Sequence, residues 1–269
     1  MIAIPIVLGL FFSVLVNGLA DNLLREQGAS FPSILIPRCH YCDSQRKVPD
    51  WSAVVSNLFL SGRCLRCGAP RPFRDLLVEA ILWIGLPAVW MAGKSGAHDL
   101  LIGGFILAAF ILFAVVDYEH RYVLVEVVLL VSLVVVLDGL TRGPVVFFRI
   151  LGGGAAGFLI FLFLFFFGKV LSWLFRFGRG IEPLGFGDVI LSALVGLVVG
   201  WPAVLLTVLT SIVIGGMAGI ILLVIFIVRG KSPQNATMAY GPCLLISGLL
   251  VYFYGGAFAE GLINFLAVF

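Results

Sequence analysis

The sequence predicts an all-α polytopic membrane protein of about eight transmembrane helices with a cytoplasmic zinc-binding loop, and three observations lead there. The chain of 269 residues is 61% hydrophobic and 12% charged, where a soluble domain carries about 25% charged residues. Its apolar residues run continuously over stretches that match about 30 Å of hydrocarbon, roughly 20 residues at the helical rise. Its 17 basic residues alternate in density from one loop to the next. The same composition excludes a disordered chain and a small disulfide scaffold, and continuous runs exclude a β-barrel, whose strands alternate. A net charge of +3, spread thinly between apolar runs, reports topology and implies a lipid bilayer as partner, with no nucleic acid.

The eight apolar runs cover residues 2–24, 76–92, 100–117, 122–140, 147–177, 184–200, 203–228 and 240–268. The first reads as a retained helix, because a cleaved signal peptide opens with a basic region and no Lys or Arg precedes Arg25. The loop over 25–75 is the one substantial polar piece and holds eight basic residues. Alternate loops, beginning with it, hold 14 of the 17 basic residues. The positive-inside rule makes that set cytoplasmic and places both termini outside. Between the sixth and seventh runs, Trp201-Pro202 reads as a turn or a kink. The expected organisation is a first helix over 1–24, a cytoplasmic loop over 25–75 and a membrane domain over 76–269.

Within the loop stand Cys39-His40-Tyr41-Cys42 and Cys64-Leu65-Arg66-Cys67, two CxxC pairs with 21 residues between them. Two such pairs bring four thiolates from two tight turns, the tetrahedral set that a structural Zn²⁺ requires, and Gly68 suits the second turn. Disulfides are the competing reading, weakened by the reducing cytoplasm to which the charges assign the loop. His40 and Tyr41 read as spacers, and Cys243, inside an apolar run, as a buried inert thiol. So polar a loop has little apolar surface to fold around, so the metal would supply much of its folding energy.

Eleven of the 14 acids, Asp50, Asp75 and Glu79 among them, fall in loops or near the ends of runs, where solvation is the expectation. Three stand apart. Asp117 closes an apolar run, Glu126 lies inside the fourth, and Asp188 opens the sixth within Gly185-Phe186-Gly187-Asp188. A carboxylate at or below the membrane surface is costly and is a functional candidate by default. In the eight-helix arrangement Asp117 and Asp188 share the cytoplasmic level, so packing could bring them together. Two close carboxylates cannot both ionise easily and could serve as base and acid on a water attacking an amide. The competing reading keeps both acids interfacial and solvated, with Asp188 favoured by a helix N-terminus. The role of Glu126 stays open. Gly152-Gly153-Gly154-Ala155-Ala156-Gly157 reads as a surface for close helix packing rather than a nucleotide cradle.

From these motifs the chain resembles the type IV prepilin peptidases, polytopic GxGD aspartic peptidases. The resemblance extends over nearly the whole length: Gly9, Asn17 and the stretch to Leu24, the two CxxC pairs with Gly62-Arg63-Cys64, and Pro72 to Glu79. It continues through Asp117-Tyr118-Glu119-His120-Arg121, Gly185 to Ser192, and Met238-Ala239-Tyr240-Gly241-Pro242. The resemblance implies an enzyme of the bacterial inner membrane that cuts the basic leader from prepilins or pseudopilins at the cytoplasmic side. It further implies N-methylation of the new terminus with S-adenosylmethionine, Asp117 and Asp188 as the catalytic pair, and Cys39, Cys42, Cys64 and Cys67 as zinc ligands. The sequence departs from the family pattern at Leu124 and Val125, where Pro-Asp is common, and at Ile190, where Lys is common. It departs again at Trp51-Ser52-Ala53, in place of Asn-Ile-Pro, and at Asp75-Leu76, in place of Tyr-Pro. No departure removes an aspartate or a cysteine of the motifs. The functions from other classes are a proton-coupled transporter, which would relay protons through Asp117, and a zinc-bearing scaffold without catalysis.

Overall fold

The computed structural model describes residues 3–22, 37–47, 50–59, 62–91, 96–174, 185–230 and 239–266, with side chains from residue 4 to residue 255. Leu24, Arg25 and Met238, used in the sequence reading, lie outside the described residues.

Among the described residues there are nine helices, in order α1 (Ala3–Asn22), α2 (Ala53–Phe59), α3 (Phe73–Met91), α4 (Ala97–His120), α5 (Val125–Thr141), α6 (Pro144–Leu174), α7 (Phe186–Val199), α8 (Ala203–Val228) and α9 (Gly241–Leu266). Eight of them coincide with the eight apolar runs, as expected where backbone polar groups must be satisfied within each segment. The ninth, α2, stands in the polar loop. Length and composition among the described residues confirm only part of the eight as full spans. Among the described residues four helices are long and apolar enough to cross a membrane: Ile4–Asn22, Ala97–His120, Pro144–Leu174 and Ala203–Val228. The physical reason is length in one case: the 14 residues of α7 reach about 21 Å, short of roughly 30 Å of hydrocarbon. In α3 it is charge, since Arg74, Asp75 and Glu79 occupy its first two turns.

The chain divides into two compact units, residues 1–115 and 116–269, with the division inside α4. In the first unit α1 packs on α3, and Gly9 approaches the Leu82 carbonyl so closely that a Cβ there would stand 3.0 Å from it. Leu82, Leu86, Leu100 and Ile106 are buried in this unit.

The second unit is built on the pairing of α6 with α7. A side chain at Gly153 would overlap the Gly196 carbonyl, and one at Gly157 would overlap that of Ser192. The glycine run therefore does what its composition suggests and lets two backbones touch. The Ser192 hydroxyl, 3.1 Å from the Gly157 carbonyl and 2.7 Å from that of Val189, adds a polar tie across the pair. Trp201-Pro202 forms a turn rather than a kink, fixed by donation from the Trp201 N–H to the Arg149 carbonyl at 2.8 Å.

Candidate metal centre and aspartate pocket

The two CxxC pairs sit on matching turns of the first unit. Arg38 bridges to Gln45 around the first, and Arg63 to Pro70 around the second. In each, the residue after the second cysteine is left-handed, Asp43 at φ 55° and Gly68 at φ 72°. In each, that residue also donates its N–H to the carbonyl of the first cysteine, at 3.0 Å to Cys39 and 2.8 Å to Cys64. Asp serves as well as Gly because its short polar side chain tolerates this region.

These turns bring the sulfurs of Cys39, Cys42, Cys64 and Cys67 within 4.8 Å of one another. Cys39 Sγ stands 3.7 Å from Cys67 Sγ, and Cys42 Sγ 3.8 Å from Cys64 Sγ. A tetrahedron of sulfurs about 2.3 Å from a zinc ion has edges of about 3.8 Å, so the set fits the ion. It does not fit disulfides, whose sulfurs approach to about 2.0 Å, and all four thiols are free. The Ser44 hydroxyl, 3.0 Å from Cys42 Sγ, lowers the Cys42 thiol. Burial opposes ionisation of Cys64, yet the N–H groups of Cys67 and Arg66 prevail and bring it down to about 6. The Ala69 N–H lowers Cys67, but desolvation and the three neighbouring sulfurs outweigh it and push it up to about 12. A divalent cation at the centre of the four would cancel that repulsion. Cys243 is buried and takes no part in the cluster, in keeping with an inert thiol.

Beside the cluster the structure corrects the expectation of solvated acids. Asp50, Asp75 and Glu79 are buried, at 2%, 2% and 1% exposure. Asp50 accepts from Arg46 Nη1 at 3.1 Å and from the Ser56 hydroxyl at 2.5 Å. Arg71 donates from Nε to Asp75 at 2.8 Å and from its other nitrogens to the carbonyls of Asp50 and Trp51, both at 3.0 Å. Glu79 accepts from the Ser52 hydroxyl and from the N–H groups of Ala53 and Val54, the latter at 3.1 Å, so it caps α2 from α3. Arg74 pairs with Asp21 of α1. The sequence did carry a signal for part of this network, since Arg46/Asp50 and Arg71/Asp75 are opposite charges at i,i+4 spacing. Nothing local marks Glu79, whose partners are 25 to 27 positions away.

The second unit gathers the other acids singled out. Asp117 and Asp188 line one cavity of about 350 Å³ together with Arg121, Val123, Val125, Ile190 and Tyr240. Asp117 is 8% exposed, and its Oδ2 is buried without a hydrogen-bond partner. It lies against Gly241, where any side chain would overlap it. Just after α4, Arg121 turns left-handed at φ 53° and its N–H donates to the Asp117 carbonyl at 2.9 Å. That conformation costs an Arg roughly 1–2 kcal/mol and folds residues 121–125 onto the cavity wall. Asp188, third residue of α7, accepts from the Gly185 N–H at 3.3 Å. Gly187 beside it is packed, since Val123 fills the space a Cβ would need, 2.7 Å away. The two carboxylates are near enough to repel one another, and Asp117 is attracted to Arg121.

Two departures from the family pattern, Val125 and Ile190, thus fall on the wall of this cavity. Tyr240 is held by a hydrogen bond of 2.9 Å to Ser211 and packs over Phe161 and Gly215. It belongs to the stretch from Met238 to Pro242 that carried the resemblance, where sequence alone assigns it no role of its own. Glu126 lies in the first turn of α5, exposed, where the helix N-terminus favours a negative charge, and it does not line the cavity.

Comparison with known proteins covers both units. Residues 104–220 match the model of the type IV leader peptidase family, and residues 4–92 match that of the bacterial peptidase A24 N-terminal domain. The chain is 29% identical over 246 residues to a prepilin leader peptidase/N-methyltransferase of Burkholderia pseudomallei, covering 88% of this chain and 72% of that protein. It is 27% identical over 281 residues to that of Aeromonas hydrophila, covering 97% and 92%. A type 4 prepilin-like proteins leader peptide-processing enzyme of Escherichia coli is 27% identical over 254 residues, covering 88% and 86%. No solved structure matches the chain.

Proposed function

The chain belongs to the type IV prepilin peptidase family, and on that premise we propose that it removes the basic leader from type IV prepilins or pseudopilins and N-methylates the new terminus. Asp117 and Asp188 are the catalytic pair in this reading, and Cys39, Cys42, Cys64 and Cys67 hold a structural zinc ion. The observation that carries it is the convergence of two carboxylates, 71 positions apart in the chain, on one cavity.

Two neighbouring carboxyl groups share a proton more readily than they share two charges. The ionised member takes a proton from a water molecule, which attacks the scissile carbonyl, while the protonated member donates to the carbonyl oxygen. Collapse of the tetrahedral species returns that oxygen's electron pair to carbon and breaks the C–N bond, and the leaving nitrogen takes up a proton. An amide held in a helix is shielded from such attack, so the substrate must be extended at the cavity. Gly185, which carries no side chain, keeps the backbone slim beside Asp188 where an extended substrate strand would approach. Val123, Val125 and Ile190 give the cavity an apolar wall, which strengthens the interaction of the carboxyl groups with whatever replaces water. S-adenosylmethionine, when bound, supplies the methyl group for the freed amine, its sulfonium leaving as a thioether while the nitrogen gives its spare proton to water.

Membership of the family implies an enzyme of the bacterial inner membrane in this reading, and the distribution of basic residues supports residues 25–75 in the cytoplasm with both termini outside. The test is cleavage of a co-expressed prepilin in membranes carrying Asp117→Asn or Asp188→Asn. Each substitution is expected to abolish cleavage while the protein accumulates normally. A leader removed at the ordinary rate by either variant would refute the assignment.

A further inference from the structure

We propose that the polar loop of the first unit docks on an anionic phospholipid surface through Leu58 and Phe59 at the end of α2, together with Phe73 at the start of α3. These three side chains are 72%, 79% and 74% exposed. The proposal rests on α3 crossing the bilayer and concerns where the loop sits, separately from the chemistry proposed above.

The register of α3 sets the level. Its 19 residues reach about 28 Å, close to the roughly 30 Å of hydrocarbon, so a crossing α3 uses its full length and Phe73 stands at the boundary. Phe73, Leu77, Ile81 and Ile84 are all exposed and follow one another at helical spacing as a single stripe. Val78, Leu82, Leu86 and Val89, on the opposite side, are buried. The exposed stripe is the side left to acyl chains, and Phe73 is its first member.

Backbone ties bring the end of α2 to this level. The Gly62 N–H donates to the Ser56 carbonyl and the Arg71 N–H to the Gly62 carbonyl, both at 2.9 Å. Arg63 bridges to Pro70 beside them. The short helix therefore ends next to the segment that enters α3, and its start is fastened by Glu79. With Ala53 and Ser56 buried, Leu58 and Phe59 are left on the outside, where water around them is costly and an interfacial position removes that cost.

The charges fit the same surface. Lys47, Arg63 and Arg66 are exposed. Among the described residues of the loop, Asp50 and Asp75 are buried in ion pairs, and the exposed Asp43 is paired with Arg38. A basic exterior beside an apolar patch is the combination that holds anionic headgroups. A second copy of the chain would have to match both features, whereas a bilayer already adjoins Phe73.

The experiment uses the full-length protein in nanodiscs of tritiated phosphatidylglycerol and phosphatidylethanolamine, with p-benzoylphenylalanine replacing Phe59 or, as the lipid-facing reference, Ile84. Ultraviolet light is expected to attach labelled lipid at both positions. In the unsubstituted protein, exchange of the anionic lipid for phosphatidylcholine is expected to speed chymotrypsin cleavage after Phe59 at least about fivefold, the factor that one basic residue gains near an anionic surface. Lipid label at Ile84 with none at position 59, or equal cleavage in the two lipids, overturns the docking. Attachment of position 59 to a second copy of the chain instead of lipid overturns it in favour of self-association. Absence of label at both positions overturns the crossing of α3 and the docking with it, whereas the enzymatic proposal is read independently by leader cleavage.

Discussion

The acids of the first unit and those of the second live under opposite rules. Asp50, Asp75 and Glu79 are buried with every approach answered by Arg46, Arg71, Ser52, Ser56 or a backbone N–H. Asp117 is buried with one oxygen unanswered, and Asp188 has a single long contact to the Gly185 N–H. A buried carboxylate whose partners are complete has no capacity left for a substrate, and its contribution is to hold turns in place. An incomplete one costs stability at rest and keeps its lone pairs for chemistry. The same residue type thus builds in one place and reacts in the other, and the number of partners distinguishes the two.

That contrast can be broken by experiment. The largest effect is expected from the metal, since structural zinc contributes about 10–16 kcal/mol to folding of zinc-finger peptides. Chelation or Cys64→Ser should unfold the cysteine loop, read as protease sensitivity within residues 38–70 and as loss of methylation, before leader cleavage declines. Simultaneous loss of cleavage would mean that the two units do not stand independently. Next comes Glu79→Ala, which strands the Ser52 hydroxyl and two N–H groups of α2. It should cost about 3 kcal/mol, as removal of one side of a buried charged contact does. Protein yield and melting temperature in detergent should fall, whereas Asp117→Asn should leave both unchanged or raised. If Asp117→Asn melts lower than Glu79→Ala, the division into building and reacting acids is wrong. The smallest effect is expected from Gly241→Ala, whose methyl overlaps Asp117 Oδ2. A displacement on the order of 1 Å at a reacting group costs about 100-fold in rate. Cleavage kinetics should show that loss in kcat with KM little changed, and normal accumulation of the protein.

The places where the sequence was a good guide share a physical cause. Apolar run length and loop charge are properties of segments, so helix positions could be read without knowing any neighbour, and each of the eight runs carries a helix. The CxxC turns are equally local. Four residues fix each turn, and the left-handed position after it is marked by Gly68 in one case and tolerated by Asp43 in the other. The glycine run of α6 could likewise be assigned to packing, because close backbone approach requires small residues whatever the partner. Span length was less well read, since a 14-residue α7 lies inside an apolar run that hydropathy alone extends.

Burial of the acids was legible only in part. The i,i+4 pairs were available in the sequence, but a surface helix carries the same pairs, so spacing alone cannot tell a solvated bridge from a buried one. The sequence by itself determined that this is an all-α membrane chain, that four cysteines form one set, and that Asp117 and Asp188 stand at the margins of apolar runs. Only the tertiary structure decided that these two carboxylates line one cavity, that Gly241 seals one of them, and that Glu79 caps a helix more than 20 positions away. Period and composition act along the chain, whereas a cavity, a clash or a partner count depends on which distant segments pack together.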